Sequence, residues 1–146
     1  MADAEQKRLA GLFEKLGARD PEGWALSQVQ EGLPQLERYL FLRQAWREIV
    51  PTDTDAALEG WQTQIPEFRK LVDAGAPPAD LVSLVRKVQR NLLFSICYLM
   101  DDPGLEDAEL ENVDWGLFRV DSNGQPGIRI NGLHESVIET DPEGLE

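Results

Sequence analysis

Cysteine and histidine are nearly absent from this chain of 146 residues. Cys97 is the only cysteine, which excludes a disulfide within the chain and a zinc site built from several thiolates. His134 is the only histidine, which excludes a metal site that needs several imidazoles. We therefore expect no metal and no other cofactor, and we predict that Cys97 is an unreactive residue of the core.

Long apolar runs and glycine-rich phosphate-binding loops are also lacking. No run approaches the roughly 20 apolar residues of a membrane-spanning helix, and residues Met1–Arg8 are polar, unlike a secretory signal peptide. No glycine-rich turn between a strand and a helix is indicated, which argues against a dinucleotide-binding or nucleophile-elbow enzyme. The sequence predicts a cytoplasmic protein that does not enter membranes.

Basic residues are scarce in the last third of the chain. Residues 101–146 contain 13 of the 27 acidic residues but only two of the 14 basic ones, Arg119 and Arg129. The formal net charge of −13 therefore comes almost entirely from this third. An acidic surface repels nucleic acids and anionic membranes, and it speeds encounter with basic proteins. The alternative is that the acidity only keeps the protein soluble.

Apolar periodicity predicts about five helices in the first hundred residues. Pro21 and Pro34 begin two of them, and the second ends at Pro51. Residues 52–54 offer side-chain caps for a further helix, in which Pro66 indicates a kink or a restart. The first helix has one apolar face, formed by Leu9, Leu12, Phe13 and Leu16.

The strongest helical pattern extends from about residue 78 to residue 100. Its stripe is about 120° wide on a helical projection and contains Leu81, Leu84, Val85, Val88, Leu92, Ile96 and Leu99. Past Leu92 the opposite face becomes apolar as well, and a helix that is apolar all round is a buried helix. We therefore predict that the other helices pack around this one, and that Leu92 and Ile96 are nearly fully buried.

The composition changes at residue 101. Residues 101–114 predict an acidic loop, and Asn123-Gly124 between strand-forming segments predicts a β-hairpin over about 115–131. A two-stranded hairpin is marginal alone in water, so we expect it and a terminal turn, up to about residue 140, to pack on the helices. The predicted contacts are Trp115, Phe118 and Ile128. The predicted fold is a single mainly α domain over residues 1–146, with α+β as the alternative.

Six acidic residues follow the predicted central helix: Asp101, Asp102, Glu106, Asp107, Glu109 and Glu111. They lack the alternating ligands and central glycine of a calcium-binding loop. We interpret them as a solvated surface, and as the candidate binding site for a basic protein partner.

Four arginines form a second candidate site. Arg43 and Arg47 lie one helical turn apart, and so do Arg86 and Arg90. If the two helices pack together, the four guanidinium groups can surround an anion. The alternative is pairing within the domain, for which the nearest acidic residues in the sequence are Glu37, Glu48 and Asp80.

Two functions remain open at this point. The first is a non-enzymatic protein-binding module, similar in action to an inhibitor or an immunity protein, that engages a basic partner through its acidic C-terminal third. The second is a small-molecule or anion-binding protein, or an enzyme, with a pocket between helices lined by arginines and aromatics. A pocket that holds the four arginines favours the second function, and a flat acidic face around the hairpin favours the first.

Overall fold

The computed structural model describes residues 1–51 and 55–144. Within these residues, the regular structure consists of seven α-helices, a short 3₁₀ helix and a two-stranded antiparallel sheet. The helices are Ala2–Leu16 (α1), Pro21–Glu31 (α2), Gln35–Arg47 (α3), Asp55–Gln64 (α4), Pro66–Asp73 (α5), Pro78–Asp101 (α6) and Leu133–Ser136 (α7). The strands are Leu117–Val120 (β1) and Pro126–Ile130 (β2). The prediction of a mainly α fold with a C-terminal hairpin is confirmed.

Local sequence signals set most helix boundaries. The Asp20 side chain accepts a hydrogen bond of 3.0 Å from the backbone N–H of Gly23, and Pro21 begins α2. Gly32 ends α2 with a φ of 69°, a conformation that favours glycine. Pro66 begins a new helix directly after α4, so it marks a restart. The predicted caps at residues 52–54 lie outside the described residues.

The first hydrophobic cluster joins α1, α2 and α3. The rings of Phe13, Trp24 and Tyr39 contact one another with centroid distances of 5.3 to 5.8 Å. Aromatic pairs in offset or edge-to-face geometry add to the gain from burying their area. The N-terminal helices therefore pack on one side of α3.

The second hydrophobic cluster joins α3, α6, β2 and α7. Its buried members are Leu42, Trp46, Ile49, Cys97, Ile130, Leu133 and Val137. Cys97 is fully buried, as predicted, and burial raises the pKa of its thiol to about 11, with a smaller contribution from the negative charge of Asp101. Because α3 contributes to both clusters, it is the helix that connects the two halves of the core.

Only one face of α6 packs against this core. Val82, Arg86 and Cys97 are buried along that face, and Leu93 packs against the second cluster. The prediction that Leu92 and Ile96 are nearly fully buried is wrong, because these side chains are 57% and 45% exposed. The packed face is more polar than the predicted apolar stripe, because it includes Arg86. Arg86 donates a 3.1 Å hydrogen bond to the carbonyl of Val50 on the other side of the contact.

The hairpin packs through residues other than the predicted Phe118 and Ile128. Leu117 pairs with Ile130 in the register, and both side chains join the second cluster. Phe118 and Ile128 are about 40% exposed, so their predicted role as the main packing contacts is wrong. Neighbouring residues of a strand point to opposite faces, so Leu117 faces the core and Phe118 does not. Ile128 lies where the register between the two strands is irregular.

Candidate functional site

The acidic residues predicted as a partner site divide into one buried residue and five exposed ones. Asp101 is the last residue of α6, and its side chain is only 7% exposed. Its Oδ2 atom lies 2.6 Å from His134 Nδ1 and accepts a 3.0 Å hydrogen bond from the His134 backbone N–H. Asp101 therefore satisfies a free N–H of the first turn of α7, and the prediction that it is solvated is wrong.

The other five acidic residues are exposed: Asp102, Glu106, Asp107, Glu109 and Glu111. We call residues 102–111 the acidic segment. It follows the end of α6 directly, and its regular structure is a short 3₁₀ helix, Ala108–Leu110. Among the described residues, no group of three or more His, Cys, Asp and Glu side chains is arranged to hold a metal ion.

An exposed apolar surface lies along α6 and ends beside the acidic segment. It consists of Leu84, Val88, Leu92, Ile96 and Leu99, which we call the α6 stripe. These five side chains are 45–59% exposed and extend over roughly 22 Å of helix. From residue 91 to residue 100 the helix carries no charged side chain. An apolar surface of this extent with a polar rim is typical of an interaction site.

Trp115 connects the α6 stripe to the chain beyond the acidic segment. Its indole Nε1 donates a 2.7 Å hydrogen bond to the carbonyl of Leu99, and its side chain stays 41% exposed. Arg129 holds this position, because it donates to the Trp115 carbonyl at 2.7 Å and pairs with Asp114 at 3.1 Å. The indole therefore extends the apolar surface at the C-terminal end of α6.

Three of the four predicted arginines line one cavity. Arg43, Arg47 and Arg86 line a cleft of about 480 Å³ between α3, α6 and residues 139–143, and Arg19 joins them from the loop after α1. Arg90 lies outside this cleft, where it lines a neighbouring concavity together with Arg86. The sequence indicated the arginines by their helical spacing, but it did not indicate Arg19 or the C-terminal wall.

Arg86 is already fully engaged within the chain. Its Nη2 lies 2.5 Å from Asp141 Oδ1, its Nε lies 2.7 Å from Glu143 Oε2, and its guanidinium stacks over the Trp46 ring at 5.2 Å. Pairing within the domain was one of the open alternatives. The partners of Arg86 are not the nearby Asp80 but two carboxylates that follow it by 55 and 57 residues in the sequence. Burial of this cation is tolerated because two carboxylates and a carbonyl take its donors.

We compared the chain with models of protein families, with curated proteins and with solved structures, and none of the three comparisons gives a match. In the part of the chain that the structure describes, no helix is both long and apolar enough to cross a membrane.

Proposed function

We propose that this protein is a non-enzymatic binding module that engages a basic amphipathic helix of a partner protein, in the manner of an inhibitor or an immunity protein. The observation that carries the proposal is the α6 stripe, with its five half-exposed aliphatic side chains on one helix. The apolar side of the partner helix packs along the stripe, and its Lys and Arg side chains face the acidic segment.

The magnitude of the apolar term explains why both surfaces are needed. Full burial of an exposed Leu or Val gains about 1.5–3 kcal/mol, so five half-exposed side chains gain roughly 5 kcal/mol together. Association costs about 4–15 kcal/mol of lost freedom. The stripe alone therefore gives weak binding, and the partner needs further contacts with Trp115 and the acidic segment.

Charge selects the class of partner. The five exposed carboxylates of the acidic segment follow the C-terminal end of the stripe, and the net charge of the chain is −13. A basic partner gains from this field in its association rate, whereas a second copy of the chain brings an equal negative charge to the contact. The arrangement favours a basic partner over self-association.

The test uses two designed peptides of about 18 residues, roughly five helical turns. One combines Leu at helical spacing with Lys, and the other replaces every Lys by Glu. Fluorescence anisotropy and stopped-flow mixing give affinity and association rate at low and physiological salt. We expect binding of the Leu–Lys peptide, with an association rate that falls steeply with salt, and no binding of the Leu–Glu peptide.

Two variants separate the apolar and the charged contributions. Leu92→Gln with Ile96→Gln should weaken binding of the Leu–Lys peptide at least tenfold, because it removes two contacts worth about 1 kcal/mol each. Replacing Glu106, Asp107, Glu109 and Glu111 by their amides should slow association and leave the unfolding transition unchanged. Leu26→Gln is the matched control, since Leu26 is also exposed but lies on α2.

Three results contradict the proposal. Equal binding of both peptides shows that charge does not select the partner. Equal loss with Leu26→Gln shows that the stripe is not the site. A stable dimer in sedimentation experiments that dissociates in the Leu92→Gln/Ile96→Gln variant shows that the stripe serves self-association instead.

A further inference from the structure

We infer that the cleft between α3 and α6 binds a small organic anion, a carboxylate or a phosphate monoester that carries an apolar group. Arg43 and Arg47 hold the anionic head, and the aromatic wall contacts the apolar group. This site is separate from the α6 stripe, because the stripe residues do not line the cleft.

Helical geometry directs the two arginines into the same cavity. Tyr39, Arg43 and Arg47 are spaced four residues apart on α3, and side chains at this spacing lie on one face of a helix. All three line the cleft. Both side chains therefore line the same wall of the cleft, where both can donate hydrogen bonds to one anion.

These two cations differ from Arg86 in their availability. Arg86 has its donors taken by Asp141, Glu143 and the Val50 carbonyl. In contrast, across residues 1–51 and 55–144, no carboxylate forms an ion pair with Arg43 or Arg47, and Arg47 bonds only to the neutral Gln44 side chain at 2.8 Å. Of the four guanidinium groups that line the cleft, that of Arg86 is neutralised, that of Arg19 donates to the Asp141 carbonyl, and those of Arg43 and Arg47 lack an anionic partner among the described residues.

The segment at residues 139–143 shows which chemistry the cleft accepts. Two of its carboxylates, those of Asp141 and Glu143, converge on Arg86, and the Asp141 carbonyl accepts a hydrogen bond from Arg19. The chain thus supplies oxygen acceptors to one side of the cavity, where the Glu139 carboxylate also lies, while on the α3 side no carboxylate of the described residues pairs with Arg43 or Arg47. A bound anion completes the same pattern at Arg43 and Arg47.

The other walls favour a ligand with an apolar part. Trp24, Trp46 and Ile49 also line the cleft, and each side chain is nearly buried. The volume of about 480 Å³ falls within the range of small-molecule sites, which are mostly apolar with a few placed polar groups. Inorganic phosphate contacts only the arginines, whereas a ligand with a phenyl ring also excludes water from the apolar side chains of the wall.

The experiment compares three probes with the full chain in calorimetric titrations at low ionic strength: phenyl phosphate, benzoate and inorganic phosphate. We expect saturable binding of phenyl phosphate, of benzoate or of both, at least tenfold tighter than that of inorganic phosphate. The ratio between the two aromatic probes distinguishes a phosphate ester from a carboxylate as the preferred head group. Quenching of tryptophan fluorescence provides an independent readout, since Trp24 and Trp46 line the site.

Variants locate the site. Arg43→Gln and Arg47→Gln should each weaken binding about tenfold or more, the expected loss of a charged hydrogen bond. Arg69→Gln is the control, because Arg69 is an exposed arginine of α5 outside the cleft. Glu143→Gln should tighten binding severalfold, because it removes a negative charge from the cleft wall.

The inference is overturned by any of three results. The first is that the aromatic anions fail to bind saturably, and the second is that inorganic phosphate binds as tightly as phenyl phosphate. The third is that Arg69→Gln weakens binding as much as Arg43→Gln does. The Leu92→Gln/Ile96→Gln variant should bind the anions like the unchanged chain, so failure of the partner proposal and failure of this one are distinguishable.

Discussion

The packed face and the exposed stripe of α6 differ in a way that reverses a simple expectation. The packed face carries Arg86 and Gln89 among its apolar residues, whereas the exposed stripe consists of aliphatic residues alone. The polar residues of the packed face all have partners. Arg86 binds Asp141 and Glu143, and the Gln89 side chain accepts a 2.9 Å hydrogen bond from the Val50 N–H.

This contrast teaches that apolar character alone does not decide which face of a helix is buried inside its own chain. A face is buried where the neighbouring elements supply matching shapes and matching hydrogen-bond partners. The remaining apolar face of α6 has no such neighbour within the described residues, apart from Trp115 at its C-terminal end. Under the partner proposal, the apolar side chains of this face pack against another protein.

The largest expected effect concerns the buried cation of the packed face. Arg86→Leu leaves the Asp141 carboxylate, 4% exposed, without its counter-ion and leaves the Val50 carbonyl without its donor. We expect a loss of about 3–5 kcal/mol in the free energy of unfolding, measured by denaturant titration. Arg90→Leu, one turn further along α6, should cost less than about 1 kcal/mol. A loss below 1 kcal/mol for Arg86→Leu contradicts its structural role.

The next prediction compares two neighbouring leucines on the two faces. Leu93 packs against the second cluster, and Leu92 is 57% exposed. Leu93→Ala should lower the free energy of unfolding by about 2 kcal/mol, at the low end for a core leucine. Leu92→Ala should change it by less than about 0.5 kcal/mol. If Leu92→Ala lowers the free energy of unfolding more than Leu93→Ala does, the stripe is the packed face, and the partner proposal loses its basis.

A smaller effect is expected where α6 meets the acidic segment. Asp101→Asn weakens the contact with the His134 ring and replaces a charged acceptor at the start of α7, so it should cost about 1.5–2 kcal/mol of unfolding free energy. Asp107→Asn, on the exposed part of the acidic segment, should leave stability within about 0.5 kcal/mol. Equal effects on thermal unfolding contradict the division of the acidic residues into one buried and five exposed members.

Several features followed from the sequence alone because their physics is local. Helical periodicity, proline at first positions and glycine after helix ends depend on residues within one or two turns. The Asn123-Gly124 turn and the excess of acid after residue 100 are equally local. These signals predicted a mainly helical fold, the hairpin and the burial of Cys97, and they indicated four arginines on two helices, of which Arg43, Arg47 and Arg86 line one cleft and Arg90 does not.

Which surfaces face inward depends on contacts between elements that are distant in the sequence. The stripe of α6 and the hairpin residues Phe118 and Ile128 are apolar yet exposed, and the sequence contains no local signal that separates an internal contact from an external one. The partners of Arg86 come from 55 and 57 residues further along the chain, and Asp101 meets His134 across the acidic segment and the hairpin. Such pairings depend on how distant elements meet in space, because burial is a property of the assembled surface rather than of one helix.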